Sequence, residues 1–364
     1  MQGNVLAQEP VFRHFSTPEG LPSPETYMVM EDRKGYMWIS TDHGASRFDG
    51  YQFTNFTTDD GLNGNTVFGT YEDYKGRIWF YTFRGGLSYL EGDSILNPVK
   101  GAPMENWKGM SVPFSMYVDT GDTVWLGLRR TFVLGQFIKV FPDGTFRKTI
   151  LPGGKDGFIK RFSSGGYFIN GAPMRTELSK LSLIDAQNQV KYYSDKVKID
   201  SSYSSSFTAF QKPDGSIIFV YSRVLAEWNK GSISILDTLH YATNLGLFED
   251  SNKNVWVSRA KGGVAVYRNR NFRDPPQLWL KDRLVSWITE DSEGGIWVST
   301  LNDGIYYTPS VDVLALPGEK YFGNKRVIHI TGKADTLLVT LKNGEVTRLV
   351  YRANASLDTL TKPV

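Results

Sequence analysis

Adjacent glutamate and aspartate residues recur along the chain and are the first candidates for chemistry. They occur as Glu31-Asp32, Glu72-Asp73, Glu249-Asp250 and Glu290-Asp291. Two neighbouring carboxyl groups could serve as a general acid and a general base. Each pair, however, stands at the same point of a repeated pattern, where a tight turn is predicted. Aspartate caps such turns by accepting hydrogen bonds from nearby backbone N–H groups, so we interpret the pairs as turn residues.

Histidines are the next candidates. His14, His43, His240 and His329 are far apart and lack the spacing of metal ligands. No zinc-protease, serine-triad or phosphate-loop motif occurs either. Asp42 beside His43 could form a catalytic base, but an ordinary loop histidine is the interpretation we favour. We therefore expect no catalytic residues, no metal and no cofactor.

The repeated pattern has the form Asp-x-x-Gly-x-apolar-Trp, and it predicts two strands joined by a tight turn. It is complete at residues 32–38, 73–79 and 291–297; at 119–125 and 250–256 another residue takes the glycine position. In three copies a third strand opened by glycine follows, at 44–48, 86–90 and 304–307.

The spacing of these copies predicts the architecture. Successive tryptophans are about 41 to 46 residues apart where the copies adjoin, a period typical of β-propeller blades. The long interval between Trp125 and Trp256 holds two weaker copies, with Phe168 and Ile218 near the tryptophan position, and a last weak copy ends near residue 339. The prediction is an all-β propeller of four-stranded antiparallel blades, with seven blades favoured and eight possible.

Residues 20–57 and 61–90 resemble the two-component regulator propeller repeats of sensor proteins from Bacteroidetes-type bacteria. The first segment reads GLPSPETYMVMEDRKGYMWISTDHGASRFDGYQFTNFT, and the second GLNGNTVFGTYEDYKGRIWFYTFRGGLSYL. The copies ending at Trp256 and Trp297 also match well, and the repeats together cover nearly the whole chain.

The resemblance implies a function. In that family the repeats form the exported sensing part of a histidine kinase or hybrid two-component protein, followed by a membrane helix and kinase domains. It implies a periplasmic, non-catalytic sensor that binds a small molecule or oligosaccharide, adjoins downstream propeller and kinase domains, and could dimerise. A propeller enzyme (a lyase or a glycan-cleaving hydrolase) and a plain interaction scaffold are the alternatives.

Recognition is predicted on one face of the ring. The loop that enters the first strand of a blade shares this face with the loop between the second and third strands, while the Asp-x-x-Gly turn lies opposite. The loops between the second and third strands differ in sequence from blade to blade, while the strands around them keep the same pattern. Such variation is typical of binding loops. The candidate binding residues are Asp42, His43, Arg84, Arg129, Arg130, Arg223, Arg259, Lys261, Asn302 and Asp303. Arginines and nearby rings, including Tyr27 and Phe68, suit an anionic or carbohydrate-like ligand or a partner domain. Alternatively, these arginines pair with neighbouring acids on a solvated rim.

The recurring tryptophans occupy one position in every strong copy. A position shared by all blades is expected to pack blade against blade, and the structural core residues are predicted to be Trp38, Trp79, Trp125, Trp256 and Trp297.

The domain boundaries follow from the repeats. Residues 1–10 are expected to be a disordered remnant, and 11–312 the seven-bladed propeller, with the strand at 12–16 completing the seventh unit. Residues 313–364 would hold an eighth repeat, which either begins a second propeller or closes this one.

Composition excludes several classes of protein. The formal net charge of +3 is too small to indicate nucleic-acid binding, and the absence of cysteine excludes disulfides and thiol chemistry. No apolar run reaches the roughly 18 to 20 residues of a membrane span.

Overall fold

The computed structural model describes residues 10–83, 86–98, 113–128, 136–150, 165–169, 172–177, 180–184, 190–194, 207–221, 223–229, 232–239, 246–259, 262–312, 322, 325–333, 336–351 and 357–362. These residues form antiparallel four-stranded sheets joined by turns, with three single-turn 3-10 helices at Thr17–Glu19, Thr58–Asp60 and Arg268–Arg270. No helix among the described residues is long and apolar enough to cross a membrane.

The chain divides into two compact units, Phe12–Pro309 and a second made of Ser310–Val364 with the first residues. The first unit contains seven sheets, which are the blades of a β-propeller, and this confirms the predicted fold. The first strand of the chain, β1, is Arg13–Phe15.

Blades 1 to 3 follow in chain order, each from its innermost to its outermost strand. Blade 1 has β2 (Thr26–Glu31), β3 (Met37–Thr41), β4 (Gly44–Phe48) and β5 (Phe53–Phe56). Blade 2 has β6 (Val67–Glu72), β7 (Ile78–Thr82), β8 (Leu87–Glu91) and β9 (Ser94–Leu96). Blade 3 has β10 (Pro113–Val118), β11 (Val124–Leu128), β12 (Gln136–Val140) and β13 (Phe146–Ile150).

Blades 4 to 6 repeat this order. Blade 4 has β14 (Gly165–Ile169), β15 (Ala172–Glu177), β16 (Lys180–Ile184) and β17 (Val190–Ser194). Blade 5 has β18 (Phe207–Gln211), β19 (Ile217–Tyr221), β20 (Val224–Asn229) and β21 (Ser232–Thr238). Blade 6 has β22 (Leu247–Glu249), β23 (Val255–Ser258), β24 (Val264–Tyr267) and β25 (Gln277–Trp279).

Blade 7 closes the ring with a strand from the other end of the chain. Its three inner strands are β26 (Val285–Glu290), β27 (Ile296–Thr300) and β28 (Ile305–Thr308). Strand β1 pairs antiparallel with β28, with Phe15 opposite Ile305. The N-terminal strand is therefore the outermost strand of blade 7, as the sequence predicted, and the pairing covers an edge that would otherwise be free.

The second strand of each well-defined blade is buried along its whole length. All five residues of β3, β7 and β27 are buried, because each of these strands lies between two strands of its own blade and between two neighbouring blades. Burial on both faces explains why they read as apolar runs that end in small hydroxyl residues.

The unit that contains residues 310–364 holds one further four-stranded sheet. Its strands are β29 (Val327–Lys333), β30 (Thr336–Leu341), β31 (Val346–Tyr351) and β32 (Leu357–Lys362). Val339, Leu341 and Leu349 form its small core. Ile328 and Ile330 on its first strand are 58% and 60% exposed.

Candidate functional site

The aspartate of the repeated turn uses both of its carboxylate oxygens. Asp32 Oδ1 accepts the backbone N–H groups of Lys34 and Tyr36 at 2.9 and 3.0 Å. Its Oδ2 accepts the indole N–H of Trp38 at 2.8 Å. Four further blades repeat this indole bond at 2.7 to 2.9 Å: Trp79 to Asp73, Trp125 to Asp119, Trp256 to Asp250 and Trp297 to Asp291. This geometry agrees with the interpretation of these aspartates as turn residues.

The glutamate before this aspartate joins its blade to the turn of the preceding blade. Glu31 of blade 1 accepts the backbone N–H and the hydroxyl of Ser292 in blade 7, at 2.6 and 2.7 Å. Glu290 of blade 7 accepts the same two groups of Ser251 in blade 6, at 2.7 and 2.6 Å. Glu72 accepts the backbone N–H of Arg33 at 3.0 Å. The acidic pairs thus hold the turns of neighbouring blades together, a role that the sequence analysis missed.

Blade 6 departs from this scheme for a chemical reason. In blade 5 the turn position that would face Glu249 is Pro213, which has no N–H to donate. Glu249 instead accepts a hydrogen bond from Arg270 Nε at 2.6 Å. This exception supports the interpretation that each of these glutamates binds the backbone N–H group in the turn of the preceding blade.

The opposite face is built from a second set of contacts between blades. The glycine that opens the third strand donates its N–H to the loop entering the next blade: Gly44 to Asn65 O at 2.5 Å, Gly263 to Arg283 O at 3.1 Å and Gly304 to Pro24 O at 2.7 Å. The two kinds of loop therefore lie together on one face, as the sequence analysis expected. We call this the loop face.

Two predicted binding residues, Asp42 and His43, lie together on the loop face of blade 1. Asp42 Oδ2 is 3.0 Å from His43 Nδ1, and the His43 side chain is 69% exposed. Asp42 Oδ1 is buried, and no donor among the described residues reaches it. A buried carboxylate oxygen without a donor is costly. Because Oδ1 is closed to solvent, Oδ2, which faces the exposed His43, is the oxygen of Asp42 that remains for an incoming group.

Tyr27 stands beside this pair. Its hydroxyl donates to Glu25 Oε1 at 2.7 Å. Burial raises the pKa of Tyr27, and the hydrogen bond to Glu25 and the negative charges of Glu25 and Asp42 raise it further. Tyr27 therefore stays protonated at physiological pH and acts as a hydrogen-bond donor, not as a base.

Three aromatic rings continue from Tyr27 toward blade 2. The rings of Tyr27 and Phe68 are 4.8 Å apart, and those of Phe68 and Phe83 are 5.6 Å apart. Phe83 is 54% exposed. This row of rings offers an apolar surface beside the carboxylates of Asp42 and Glu25.

Backbone irregularities aim the first two of these rings. The pairing of β2 with β3 shifts register between Thr26 and Met28, and that of β6 with β7 shifts between Val67 and Gly69. Tyr27 and Phe68 are thus the extra residues of two equivalent β-bulges. The first strands β10, β26 and β29 carry the same shift, so the bulge is a feature of the repeated frame.

We call this group the recognition patch. It consists of Glu25, Tyr27, Asp42, His43, Phe68 and Phe83.

Asn302 and Asp303, two further predicted residues, lie on the loop between β27 and β28. Asn302 is exposed. Asp303 belongs to a polar cluster at the closing strand, where its Oδ2 pairs with Arg283 Nε at 2.8 Å and accepts the Tyr306 hydroxyl. His14 donates to the Asp303 backbone oxygen at 2.7 Å. Asp303 therefore helps to hold β1 in place.

The predicted arginines that the structure describes lie in blades 5 and 6. Arg223 Nε donates to Leu239 O at 3.0 Å, so its guanidinium is tied to its own blade. Arg259 is 9% exposed. The remaining predicted residues, Arg84, Arg129, Arg130 and Lys261, lie outside the described residues.

The tryptophan positions are mostly buried between blades. Trp38 packs with Ile78 and Phe80 of blade 2, and Trp297 packs with Phe48 of blade 1. Trp125 is partly buried, and Lys139 Nζ lies 3.8 Å from the centre of its ring.

Within the described ranges, no three His, Cys, Asp or Glu side chains are arranged to hold a metal ion.

Comparison with known families matches one short segment of the chain. The family described as "Two component regulator propeller" matches residues 20–43, which confirms the predicted resemblance. No curated protein matches the chain.

Among solved structures, two similar ones are extracellular domains from B. thetaiotaomicron. The domain assigned to the hybrid two component system BT3049 has a TM-score of 0.67 at 16% identity, over 96% of this chain and 49% of that one. The domain assigned to the hybrid system BT4673 has a TM-score of 0.62 at 15% identity, over 97% and 47%. The chain thus spans about half the length of these two domains.

A third similar structure belongs to a different class of protein. Virginiamycin B lyase from Staphylococcus aureus has a TM-score of 0.62 at 14% identity, over 82% of this chain and 99% of that one. At these identities, all three likenesses establish the propeller fold and no more.

Proposed function

We propose that this chain, a propeller with a two component regulator propeller repeat, is the extracytoplasmic sensing part of a two component histidine kinase or hybrid protein. It binds a ligand on its loop face and has no catalytic role. The observation that carries the proposal is the recognition patch, in which the row of rings from Tyr27 to the exposed Phe83 stands beside the Asp42–His43 pair.

The chemistry of the patch favours a hydroxylated ring, such as a neutral sugar unit of an oligosaccharide. The faces of Phe68 and Phe83 suit the apolar face of such a ring. The carboxylates of Asp42 and Glu25 suit its hydroxyl donors and disfavour an anion. The exposed His43 adds a group that can donate or accept.

The wider set of predicted residues remains part of the proposal. Arg84 follows Phe83 directly in the sequence, and Arg129, Arg130, Lys261 and Asn302 are proposed to extend the binding face to other blades. Arg223, Arg259 and Asp303 are proposed to support it, since Arg223 and Asp303 anchor loops and Arg259 is buried.

Signal relay would use the contact between blades 1 and 2. Thr66 Oγ1 donates to Asp42 O at 3.3 Å, so the patch already spans that contact. A ligand bridging the two blades would fix their packing against a downstream domain or a second copy. We propose that residues 313–364 begin a second propeller and that membrane and kinase domains follow.

A propeller lyase is the second candidate. The Asp42–His43 contact supports it, because an aspartate 3.0 Å from Nδ1 can orient an exposed imidazole as a base. The test is turnover of polysaccharides or lactones by the purified chain, with His43→Ala as the inactive control.

The sensing proposal is tested by thermal unfolding with a panel of neutral oligosaccharides, and uronates serve as the anionic comparison that the patch should disfavour. A specific ligand raises the melting temperature by mass action. The double variant His43→Ala, Phe83→Ala should abolish that rise, because it removes two side chains of the recognition patch. Both side chains are exposed, so their removal costs little stability. Tyr51→Ala is the matched control, since Tyr51 is 94% exposed and lies outside the patch. An unchanged rise in the double variant would exclude the patch as the binding site.

A further inference from the structure

Asn63 and Gly64 are neighbours on the loop that enters blade 2. The Asn63 side chain is exposed, whereas Leu62 before it is 4% exposed and anchors the loop in the core. An asparagine can lose the ammonia of its side chain when the backbone nitrogen of the next residue attacks it. Glycine favours this attack most, because it has no Cβ to hinder the approach.

Neither of the two groups that would react is held by a hydrogen bond. Within the described ranges, the side-chain amide of Asn63 and the N–H of Gly64 have no hydrogen-bond partner. The backbone N–H of Asn63, in contrast, donates to Ser88 Oγ at 2.9 Å. The main chain before the reacting atoms is therefore fixed, while the attacked amide can rotate toward the glycine nitrogen.

The loop that enters blade 1 has the same frame and no asparagine at this place. In each loop the leucine N–H donates to the backbone oxygen five residues earlier, at 3.2 Å for Leu21 and 3.1 Å for Leu62. The residue that follows the leucine is Pro22 in blade 1 and Asn63 in blade 2. The frame thus accommodates a residue other than asparagine, so substitution of Asn63 is compatible with folding.

A second Asn-Gly pair, Asn343 and Gly344, lies in the turn between β30 and β31. Both of its residues are exposed. Here the Gly344 N–H donates to Leu341 O at 2.9 Å, and Asn343 Oδ1 accepts the N–H of Glu345 at 3.3 Å. The two pairs are therefore alike in sequence and exposure, and they differ in whether hydrogen bonds hold the reacting groups. A third pair, at residues 170–171, lies outside the described residues.

We propose that Asn63 is a site of spontaneous deamidation, a covalent modification whose only co-reactant is water. The Gly64 nitrogen loses its proton to hydroxide and bonds to Asn63 Cγ. The Cγ–Nδ2 bond then breaks, ammonia leaves, and a five-membered succinimide ring remains. Water opens this ring without oxidation or reduction. Cleavage of the bond from Cγ to the Gly64 nitrogen gives aspartate, and cleavage at the backbone carbonyl gives isoaspartate.

The modification would fall on the contact between blades 1 and 2. Asn65, two residues later, accepts the N–H of Gly44 with its backbone oxygen at 2.5 Å and that of Thr58 with its Oδ1 at 2.8 Å. Both products place a new negative charge on the loop face, and isoaspartate also adds a carbon atom to the main chain. We expect the longer main chain to displace Asn65 and to weaken its contacts with blade 1.

The test is ageing of the purified full chain at pH 9 and at pH 6, followed by peptide mass spectrometry. The peptide that contains Asn63 should gain the mass that accompanies replacement of an amide by a carboxyl group. Conversion should be faster at pH 9, because the attacking nitrogen must lose its proton. Methylation by an isoaspartyl methyltransferase identifies the isoaspartate product. An Asn63 peptide that stays unchanged at pH 9 would overturn the proposal.

Asn343 is the internal control for the effect of hydrogen bonding. In the folded chain Asn343 should convert about fivefold more slowly than Asn63, the factor that corresponds to one net hydrogen bond that must break first. In concentrated urea the two rates should become similar, since each asparagine is followed by glycine and neither turn is formed. Equal rates in the folded chain, or the same ratio in urea, would show that the fold does not select Asn63.

Two matched variants test the effect on the blade contact. The aged natural chain should melt at a lower temperature than the fresh chain. Asn63→Ser has no amide to lose and should keep its melting temperature on ageing, whereas Asn343→Ser should still show the decrease. A natural chain that is converted at Asn63 and melts like the fresh chain would contradict the predicted weakening.

A further variant separates the new charge from the longer main chain. Asn63→Asp carries the charge with an ordinary main chain, so it should melt close to the fresh natural chain. A decrease as large as that of the aged chain would assign the effect to charge and contradict the displacement of Asn65. None of these measurements uses a ligand, so failure here and failure at the recognition patch are distinguishable.

Discussion

Asp73 Oδ2 accepts the indole N–H of Trp79 at 2.8 Å and the Nε–H of Arg77 at 2.6 Å. One carboxylate oxygen thus joins the turn, the core tryptophan and, through Arg77, the neighbouring blade.

Asp73→Asn should lower the free energy of unfolding by about 1 to 3 kcal/mol at pH 7, because it weakens buried hydrogen bonds to charged groups. Burial opposes ionisation, but the bonds from Trp79 and Arg77 lower the pKa of Asp73 below the ordinary 3.8. A pKa lowered by folding gives stability that is complete above pH 4 and lost as the pH falls toward the folded value. The difference between the variant and the natural chain should therefore shrink at pH 3.

The measurement is urea unfolding followed by tryptophan fluorescence at pH 7, 5 and 3. The exposed Asp59, changed to Asn, is the control and should have little effect at any of these values. A difference that stays constant from pH 7 to pH 3 would contradict the role of the Asp73 charge.

Gly44→Ala should destabilise the chain by about 3 kcal/mol or more. Gly44 has φ +115°, and an added Cβ would lie 2.2 Å from Phe56 O in the same blade. Gly92→Ala is the control for the cost of a positive φ alone, because Gly92 has φ +61° and open space around it. A loss of about 1 kcal/mol in the free energy of unfolding is expected. Equal losses in the two variants, measured by urea unfolding, would show that the close approach does not matter.

Glu290→Ala should destabilise the contact between blades 6 and 7 by about 1 to 2 kcal/mol, because the N–H and hydroxyl of Ser251 lose their acceptor. The exposed Glu293 in the adjacent turn serves as control, and its change to alanine should stay within about 0.5 kcal/mol. Hydrogen exchange at the Ser251 amide provides a local measurement, and protection that survives Glu290→Ala would refute the contact.

Phe56→Ala should cost about 2 kcal/mol, since a half-buried ring stacked on Trp38 is removed. Tyr51→Ala, which removes a ring that is 94% exposed, should change stability by less than about 0.5 kcal/mol. Thermal unfolding of the three proteins is sufficient, and similar melting temperatures would argue against a packing role for Phe56.

Much of the fold could be predicted because its strongest signals are local. The aspartate, turn and tryptophan lie within seven residues, so a copy such as 73–79 predicts a hairpin without knowledge of the rest of the chain. The copy in blade 5 has no tryptophan, yet Ile218 was correctly predicted to take the tryptophan position. Ile218 pairs with Phe210 in blade 5, as Trp38 pairs with Met30 in blade 1.

Blade 4 shows where local signals are too weak. Phe168 was expected near the tryptophan position of a second strand, but it lies in β14, the first strand of its blade. This blade lacks the aspartate and tryptophan that fix the register in the other copies, so the position of Phe168 within the blade was wrong.

The candidate sites depended on contacts that sequence alone does not reveal. Asp42 and His43 were predicted from their variable loop, but the bulge that redirects Tyr27 arises from pairing with β3. The Glu31–Ser292 contact joins opposite ends of the chain.

The pairing of β1 with β28 also constrains how the protein can be made. His14 contacts a residue 289 positions later, so β1 has no partner until synthesis has passed β28. Contacts of such long range form slowly, and an unpaired strand is an aggregation hazard in the meantime. Removal of β1 would consequently leave the edge of β28 in blade 7 unpaired.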